Sequence, residues 1–352
     1  MIDPSRGLDE VCDVLLAEGK IARVGRAAAG ADTVLDARGL IVAPGLIDIH
    51  VHLREPGDEQ EETIASGCAA AVAGGFASIA CMPNTHPPLD DATAIEFVFR
   101  QASRAGLCNV FPIGAITKGR AGKELAEMGQ MVRAGAVAFS DDGNCVTSAA
   151  TMLRALQYIT MFDRAIIQHC EDPDLSGRGV MHSGHVSVRL GLPGMPAIAE
   201  ELVLQRDLRL ARETGARYHV AHVSTAGSVN LIRRAKHDGV RATSEVCPHH
   251  LLLTDEACAT YDPNFKMNPP LRTADDVKAC LDGPVGPHGV DDVPVGHVRN
   301  PRGRPLELHG LVHERVVVCD AVERRIEFPG RRLDDLHIKP RLAFRRGRGS
   351  RR

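Results

Sequence analysis

The sequence contains no tryptophan, and only 3% of its 352 residues are aromatic. It also lacks an excess of either charge: 42 Lys and Arg against 45 Asp and Glu leave a formal net charge of −3. A nucleic-acid binder needs a basic face and stacking aromatics, which sets that class aside. No apolar run reaches the ~18 residues of a membrane helix, so no membrane association is expected. The N-terminus, MIDPSRGLDEV, has no charged-then-apolar signal layout. Ten Cys are scattered singly, without a C-x-x-C pair. They read as small buried apolar residues in a reducing cytoplasm, with neither a disulfide framework nor a zinc ribbon. What remains, 44% hydrophobic and 25% charged, is the composition of a soluble cytoplasmic α/β protein.

Short apolar runs alternate with longer helical patterns. The runs are LIVAPGLIDIHVH (40–52), ASIACMPN (77–84), NVFPIGAI (109–116), AVAFSDD (136–142), AIIQHCED (165–172), YHVAHVS (218–224) and RATSEVCP (241–248). Their centres are rich in Val, Ile and Ala with little polar alternation, as parallel strands buried on both faces are. Helical spacing fills residues 61–75, 90–106, 197–215 and 225–239, and Gly106, Gly215 and Gly239 supply stops. Seven such alternations between residues 40 and 248 are too many for a small open sheet and predict a (β/α)8 TIM-type barrel.

Residues 1–39 fall outside this rhythm. VLLAEGKIARVG predicts a hairpin around Glu18-Gly19 and, with it, part of a small flanking β domain. The barrel is expected over 40–282. From 283 to 352 the pattern degrades into Gly, Pro, Val and Arg, and the end, RRGRGSRR, reads as a solvated tail.

The strongest chemical signal is His50-Val51-His52, closing the first run. Residues i and i+2 of a strand point to the same side, so both imidazoles face one spot. Three further strand ends carry metal-type ligands: Asp142 in FSDDG, His169 in QHCED and His222 in AHVST. In a parallel barrel every strand's C-terminal end lies at one mouth, where active sites are built. Four His and a carboxylate there suit Zn²⁺ or a similar ion. Five ligands exceed what one tetrahedral catalytic zinc with a water takes, so two metals sharing a carboxylate are the economical reading. Such a pair activates water at neutral pH and polarises a carbonyl, which is hydrolytic or condensing chemistry on an amide-like bond. Arg54, two residues past His52, has a planar fork suited to a carboxylate. His249 and His250 read as loop support, and His182 and His185, in a Gly-rich loop, carry no expected role.

APGLIDIHVHLREPG (43–57), MPNT (82–85), FSDDG (139–143), QHCED (168–172), AHVSTAG (221–227), EVCPHH (245–250) and KMNPPLR (266–272) resemble the bacterial dihydroorotases. These are members of the amidohydrolase superfamily of metal-dependent barrels. The resemblance runs from residue 2 to about 282. It implies reversible closure of N-carbamoyl-L-aspartate to (S)-dihydroorotate in de novo pyrimidine (UMP) biosynthesis. It also implies two Zn²⁺ per subunit. His50 and His52 would hold the first ion, His169 and His222 the second, and Asp142 would bridge them, with Asp141 as the alternative if the register slips by one. Substrate contacts are implied for His52, Arg54, Asn84, Asn268 and His288. A homo-oligomer and a partnership with aspartate carbamoyltransferase follow from the same resemblance.

The resemblance breaks at CLDGPVGPHGVDD (280–292). Aligned with the family's T-D-H-A-P-H motif, this stretch sets Pro284 where the proton-carrying Asp belongs and keeps His288. No catalytic residue is therefore assigned, and the shortened segment leaves little to build strand 8. Proline cannot ligate a metal or carry a proton, and it sits badly in a central strand. The C-terminal strands of the β domain, and one before Met1, are expected to be missing, a pattern like that of a shifted reading frame. Two other readings stay open. One is a hydantoinase- or allantoinase-like cyclic amidohydrolase, opposed by Arg54 after HVHL, the MPNT loop and a carboxylate in place of a bridging lysine. The other is an inactive partner of aspartate carbamoyltransferase, favoured by Pro284.

Overall fold

The computed structural model describes residues 1–17, 20–26 and 31–283. Seven parallel strands organise it: β1 (Leu46–Val51), β2 (Phe76–Cys81), β3 (Asn109–Pro112), β4 (Ala138–Ser140), β5 (Ala165–Gln168), β6 (Arg217–Val220) and β7 (Ala242–Ser244). Each falls, to within a residue, on one of the apolar runs. β1 to β3 form one ladder and β4 to β7 another. Gly114 joins them: its N–H donates to Ala138 O at 3.0 Å and its carbonyl accepts from Ser140 N–H at 2.8 Å. A Cβ at Gly114 would lie 2.8 Å from Phe139 Cε1 and 2.9 Å from Met131 Sδ, so a side chain there would force β3 and β4 apart.

The strands thus stand in chain order in one curved row. Glu245, just past β7, reaches His50 on β1. The first and seventh strands are brought round to face each other, as in an α/β barrel. The expected eighth strand, the hairpin tip Glu18-Gly19, Pro284 and His288 lie outside the described residues.

Seven longer helices cover the outer face: α1 (Ile64–Ala73), α2 (Ala92–Ala105), α3 (Met128–Ala134), α4 (Ala149–Ile159), α5 (Ile198–Thr214), α6 (Ala226–His237) and α7 (Ala274–Asp282). Local signals fix their ends. Thr63, Asp91, Ser148, Thr225 and Thr273 each accept an amide hydrogen from the first turn. Gly106 and Gly215 close α2 and α5 at φ 60° and 67°, a region costly for side-chained residues. At the N-terminus, Asp13–Ala17 pairs antiparallel with Lys20–Gly25, and Ile2–Asp3 with Leu8–Asp9. Among the described residues no helix is long and apolar enough to cross a membrane.

Strand alternation sorts side chains between two cores. Ile79 on β2, Phe139 on β4, Ile166 on β5 and Tyr218 on β6 pack outward against the helices. Their neighbours Ala80, Ala138 and Ile167 join Met82, Ile113 and Ala221 in a smaller cluster inside the barrel. This inner layer is the floor of the mouth. Behind β5, Asp207 on α5 is fully buried and accepts from Arg206 Nε (2.7 Å), Tyr218 Oη (2.9 Å) and Gln168 Nε2 (3.2 Å). It ties α5 to the strand ends that carry His169 and His222. Replacing it with Ala leaves buried donors without their acceptor, so Asp207→Ala is expected to cost about 3 kcal/mol. Urea unfolding checks this; a loss below about 0.5 kcal/mol would remove Asp207 from the supports of the fold.

Candidate metal centre

Parity along the strands decides what faces the mouth. Asp48, His50 and His52 share a parity, although β1 ends at Val51 and His52 is the first loop residue. On β4 the inward Ala138 sets Ser140 and Asp142 inward, and on β5 Ile167 does the same for His169. His222 breaks parity with Ala221, and its backbone sits at φ 33°, a left-handed turn directly after β6. The four rings nonetheless meet. Centroids lie 5.2 Å apart for His50 and His52, 5.4 Å for His50 and His222, and 4.6 Å for His169 and His222.

Asp142 lies at the centre of this group. Its Oδ1 is 3.4 Å from His50 Nε2, 3.4 Å from His222 Nε2 and 3.8 Å from His169 Nδ1, while Oδ2 is 3.6 Å from His52 Nε2. Ligand atoms of His50, His52 and Asp142 lie within 4.8 Å of one another, as do those of Asp142, His169 and His222. Asp141 has the opposite parity and is committed elsewhere. Its Oδ1 accepts from the backbone of Ile116 (2.9 Å) and Thr117 (3.0 Å), and its Oδ2 from the Thr117 hydroxyl.

The far sides of the rings are tethered to oxygen acceptors. His50 Nδ1 meets Glu245 Oε1, His52 Nδ1 meets Asn84 Oδ1 at 2.9 Å, and His169 Nε2 meets Glu171 Oε2 at 2.9 Å. A hydrogen donated on that side fixes the ring orientation and turns the opposite nitrogen toward Asp142, as in carboxylate–histidine–metal arrangements. His169 Nδ1 and His222 Nε2 then face each other at 2.9 Å, and Asp142 Oδ1 is buried without a hydrogen-bonding partner. Four ring nitrogens converging on an unsatisfied carboxylate oxygen fit a divalent cation with N and O ligands, which would displace the ring protons on that side.

Electrostatics follow the same lines. Burial alone would neutralise Asp142 and Glu245, but the surrounding imidazoles outweigh it and hold both carboxyls well below their usual range. Burial opposes charge on His50 too, yet Glu245 and Asp142 lift it to about 10. Glu171, partly buried, is brought down to about 2 by His169 and Asn268.

Other expected residues sit as follows. Arg54 is half-exposed and pairs with exposed Glu61 at 3.4 Å; its backbone turns left-handed at φ 57°, so simple strand alternation does not aim it. Asn84 is engaged by His52, and Asn268 Nδ2 donates to Glu171 Oε2 at 3.0 Å. His182 contacts Arg272 Nη1 at 3.2 Å and is buried. Sequence reasoning missed Glu245, Glu171 and Arg120. Glu245 has the same signal as the histidines, an ionisable residue closing a buried strand, and Glu171 is two residues past His169. Arg120 comes from a loop after β3, and its Nη1 donates to Asp142 O at 2.5 Å; nothing in its local sequence marks it.

A family profile described as dihydro-orotase-like matches residues 39–228. A dihydroorotase of Pelotomaculum thermopropionicum is 58% identical over 285 residues, which cover 80% of this chain and 66% of that protein. A dihydroorotase of Geobacter sulfurreducens is 50% identical over 347 residues, 93% of this chain and 81% of that protein. The first alignment leaves a third of the relative unmatched, whereas the second runs on past the described residues. Among solved structures, an L-hydantoinase from Arthrobacter aurescens superposes with a TM-score of 0.65 at 24% identity, over 77% of this chain and 62% of that one. That likeness is one of fold.

If Glu245 orients His50, Glu245→Gln should weaken divalent-metal affinity roughly 10–100-fold with the fold intact. Competition titration against a chromophoric chelator reads this, with circular dichroism as the folding control. Unchanged affinity would leave Glu245 a structural contact only.

Proposed function

The chain belongs to the dihydro-orotase-like family, and we propose on that footing that its mouth is a dihydroorotase site holding two zinc ions. The reaction is the reversible closure of N-carbamoyl-L-aspartate to (S)-dihydroorotate with loss of water. The observation that carries it is the convergence of four imidazoles, three of them tethered, on the buried Asp142. His50 and His52 would hold one ion and His169 and His222 the other, with Asp142 shared between them. When bound, such a pair lowers the pKa of a water and polarises a carbonyl. Glu245, Asn84 and Glu171 keep the rings oriented, so the ligands need little reorganisation.

The substrate carries two carboxylates. Arg54 is the side chain proposed for one of them, since its exposed partner Glu61 is easily exchanged for a bidentate carboxylate. Asn84 and Asn268 offer amide donors next to His52 and Glu171, and His288 would complete the set from outside the described residues. Residues 40–282 would form the hydrolase unit, with 1–39 flanking it and 283–352 as a divergent end. A cytoplasmic homo-oligomer, with aspartate carbamoyltransferase as partner, is the setting that agrees with this reading.

Proton transfer is the weak link. The family position for the proton-carrying carboxylate is Pro284, and a positioned acid–base group is worth ~10²–10⁴-fold in rate. The chain as written should therefore bind close to two zinc ions and yet hydrolyse dihydroorotate little or not at all. Elemental analysis and a dihydroorotate assay test both halves; turnover within about tenfold of an intact relative would mean that the carboxylate lies elsewhere. His169→Ala combined with His222→Ala should release one ion and retain the other, and full occupancy in that variant would refute the ligand assignment. In a background with the family motif restored, Arg54→Met should raise KM by a factor worth about 2–4 kcal/mol. An unchanged KM for carbamoyl-aspartate there would return Arg54 to the surface.

A further inference from the structure

A second cluster of soft ligands lies in the loop after β7. Cys247, His249 and His250 each present a ligand atom, and the three atoms lie within 4.8 Å of one another. None of them belongs to the Asp142 centre. Cys247 caps the short helix Pro248–Leu252, which carries both imidazoles in its first turn. Cys247 and His250 are buried and His249 is partly so. The rings of His249 and His250 meet edge to face, 4.3 Å between centroids.

His250 supplies an independent sign. Its Nε2 lies 3.1 Å from the carbonyl oxygen of Pro269. A carbonyl only accepts, so the hydrogen sits on Nε2 and Nδ1 keeps its lone pair. That Nδ1 is buried and has no hydrogen-bonding partner, although His250 is only 2% exposed. Burial beside His249 also holds the ring well below its ordinary pKa, in the neutral form a ligand needs. An orphaned imidazole nitrogen of this kind is costly unless something occupies it.

We propose that Cys247, His249 and His250 form a second, separate metal site for a thiophilic d¹⁰ ion such as Zn²⁺ or Cu⁺. A thiolate and two imidazoles are borderline-soft donors, which disfavours Mg²⁺ and Ca²⁺. A small side-chain rotation would bring all three to the ~2.0–2.3 Å that zinc takes to nitrogen and sulfur. On binding, the Cys247 thiol gives its proton to solvent as the sulfur–metal bond forms. With three protein ligands the fourth position is open to water or a small anion. The ion would join the loop that carries Glu245 to the Asn268–Pro269 segment, to which His250 is already bonded. Both flank the Asp142 centre, so occupancy would stiffen the mouth without supplying a ligand to it.

Cobalt titration of the full-length protein tests the site. Co²⁺ bound by thiolate gives a sulfur-to-metal charge-transfer band in the near ultraviolet, and the His/Asp centre, having no sulfur ligand, cannot produce it. Wild-type protein should show the band, and Cys247→Ser should lose it while retaining the visible bands of the His/Asp centre. His250→Gln, which keeps the thiol, should shift the band's midpoint at least tenfold to higher Co²⁺. Absence of the band in wild-type protein whose visible bands have saturated would overturn the proposal. So would its persistence in Cys247→Ser, which would place the thiolate on another cysteine. Neither outcome depends on dihydroorotate turnover, so failure here is distinguishable from failure of the proposed reaction.

Discussion

Asp142 keeps its charge at a place where water reaches almost none of it, so neighbouring side chains must supply what solvent would. Its exposure is 3%, and a carboxylate buried to that degree is stable only when positive or hydrogen-donating groups surround it. Four imidazoles at 3.4–3.8 Å do this. The rings must themselves be held, and Glu245, Asn84 and Glu171 hold three of them. The demand passes outward: Glu245 also contacts His219 Nε2 at 3.3 Å and the His222 amide at 3.3 Å. One buried charge therefore organises residues on β1, β4, β5, β6 and β7.

Such a cluster is a poor source of stability, because taking several charges out of water costs about what their mutual attraction returns. The barrel finds its stability elsewhere, in the apolar layer between strands and helices and in the Asp207 network behind β5. The division is spatial. Outward-facing residues such as Phe139, Ile166 and Tyr218 pack against helices, while inward-facing residues at the strand ends are left for chemistry. An α/β barrel allows this separation because alternate residues on each strand serve different cores.

Sequence similarity and fold similarity differ in reach. Dihydroorotases at 50% and 58% identity are similar along most of this chain. The hydantoinase likeness, at 24% identity, shares the barrel alone, a scaffold that hosts many chemistries. The narrower reading is a proposal that rests on particular side chains, above all Asp142 among the four imidazoles, with Asn84 bonded to His52. The Geobacter alignment covers 93% of the chain, so the similarity continues beyond Gly283.

The sequence by itself marked the seven strands, four of the seven outer helices and the five side chains that meet around Asp142, with Asp141 left as the alternative carboxylate. Those features are local: a buried strand reads as an unbroken apolar run, and an ionisable residue closing it points to the mouth. Parity could also have separated Asp142 from Asp141, since Ala138, Ser140 and Asp142 alternate inward together. What only the tertiary structure decided was non-local. Glu245 meets His50 across 195 residues of chain, and His222 enters the site through a left-handed turn that breaks the alternation. Arg120 arrives from a loop with no motif, and His250 Nε2 meets its acceptor only when the loop after β7 folds against Pro269. Composition and period constrain each element singly; closing the sheet into a curve brings the ends of distant elements to one point.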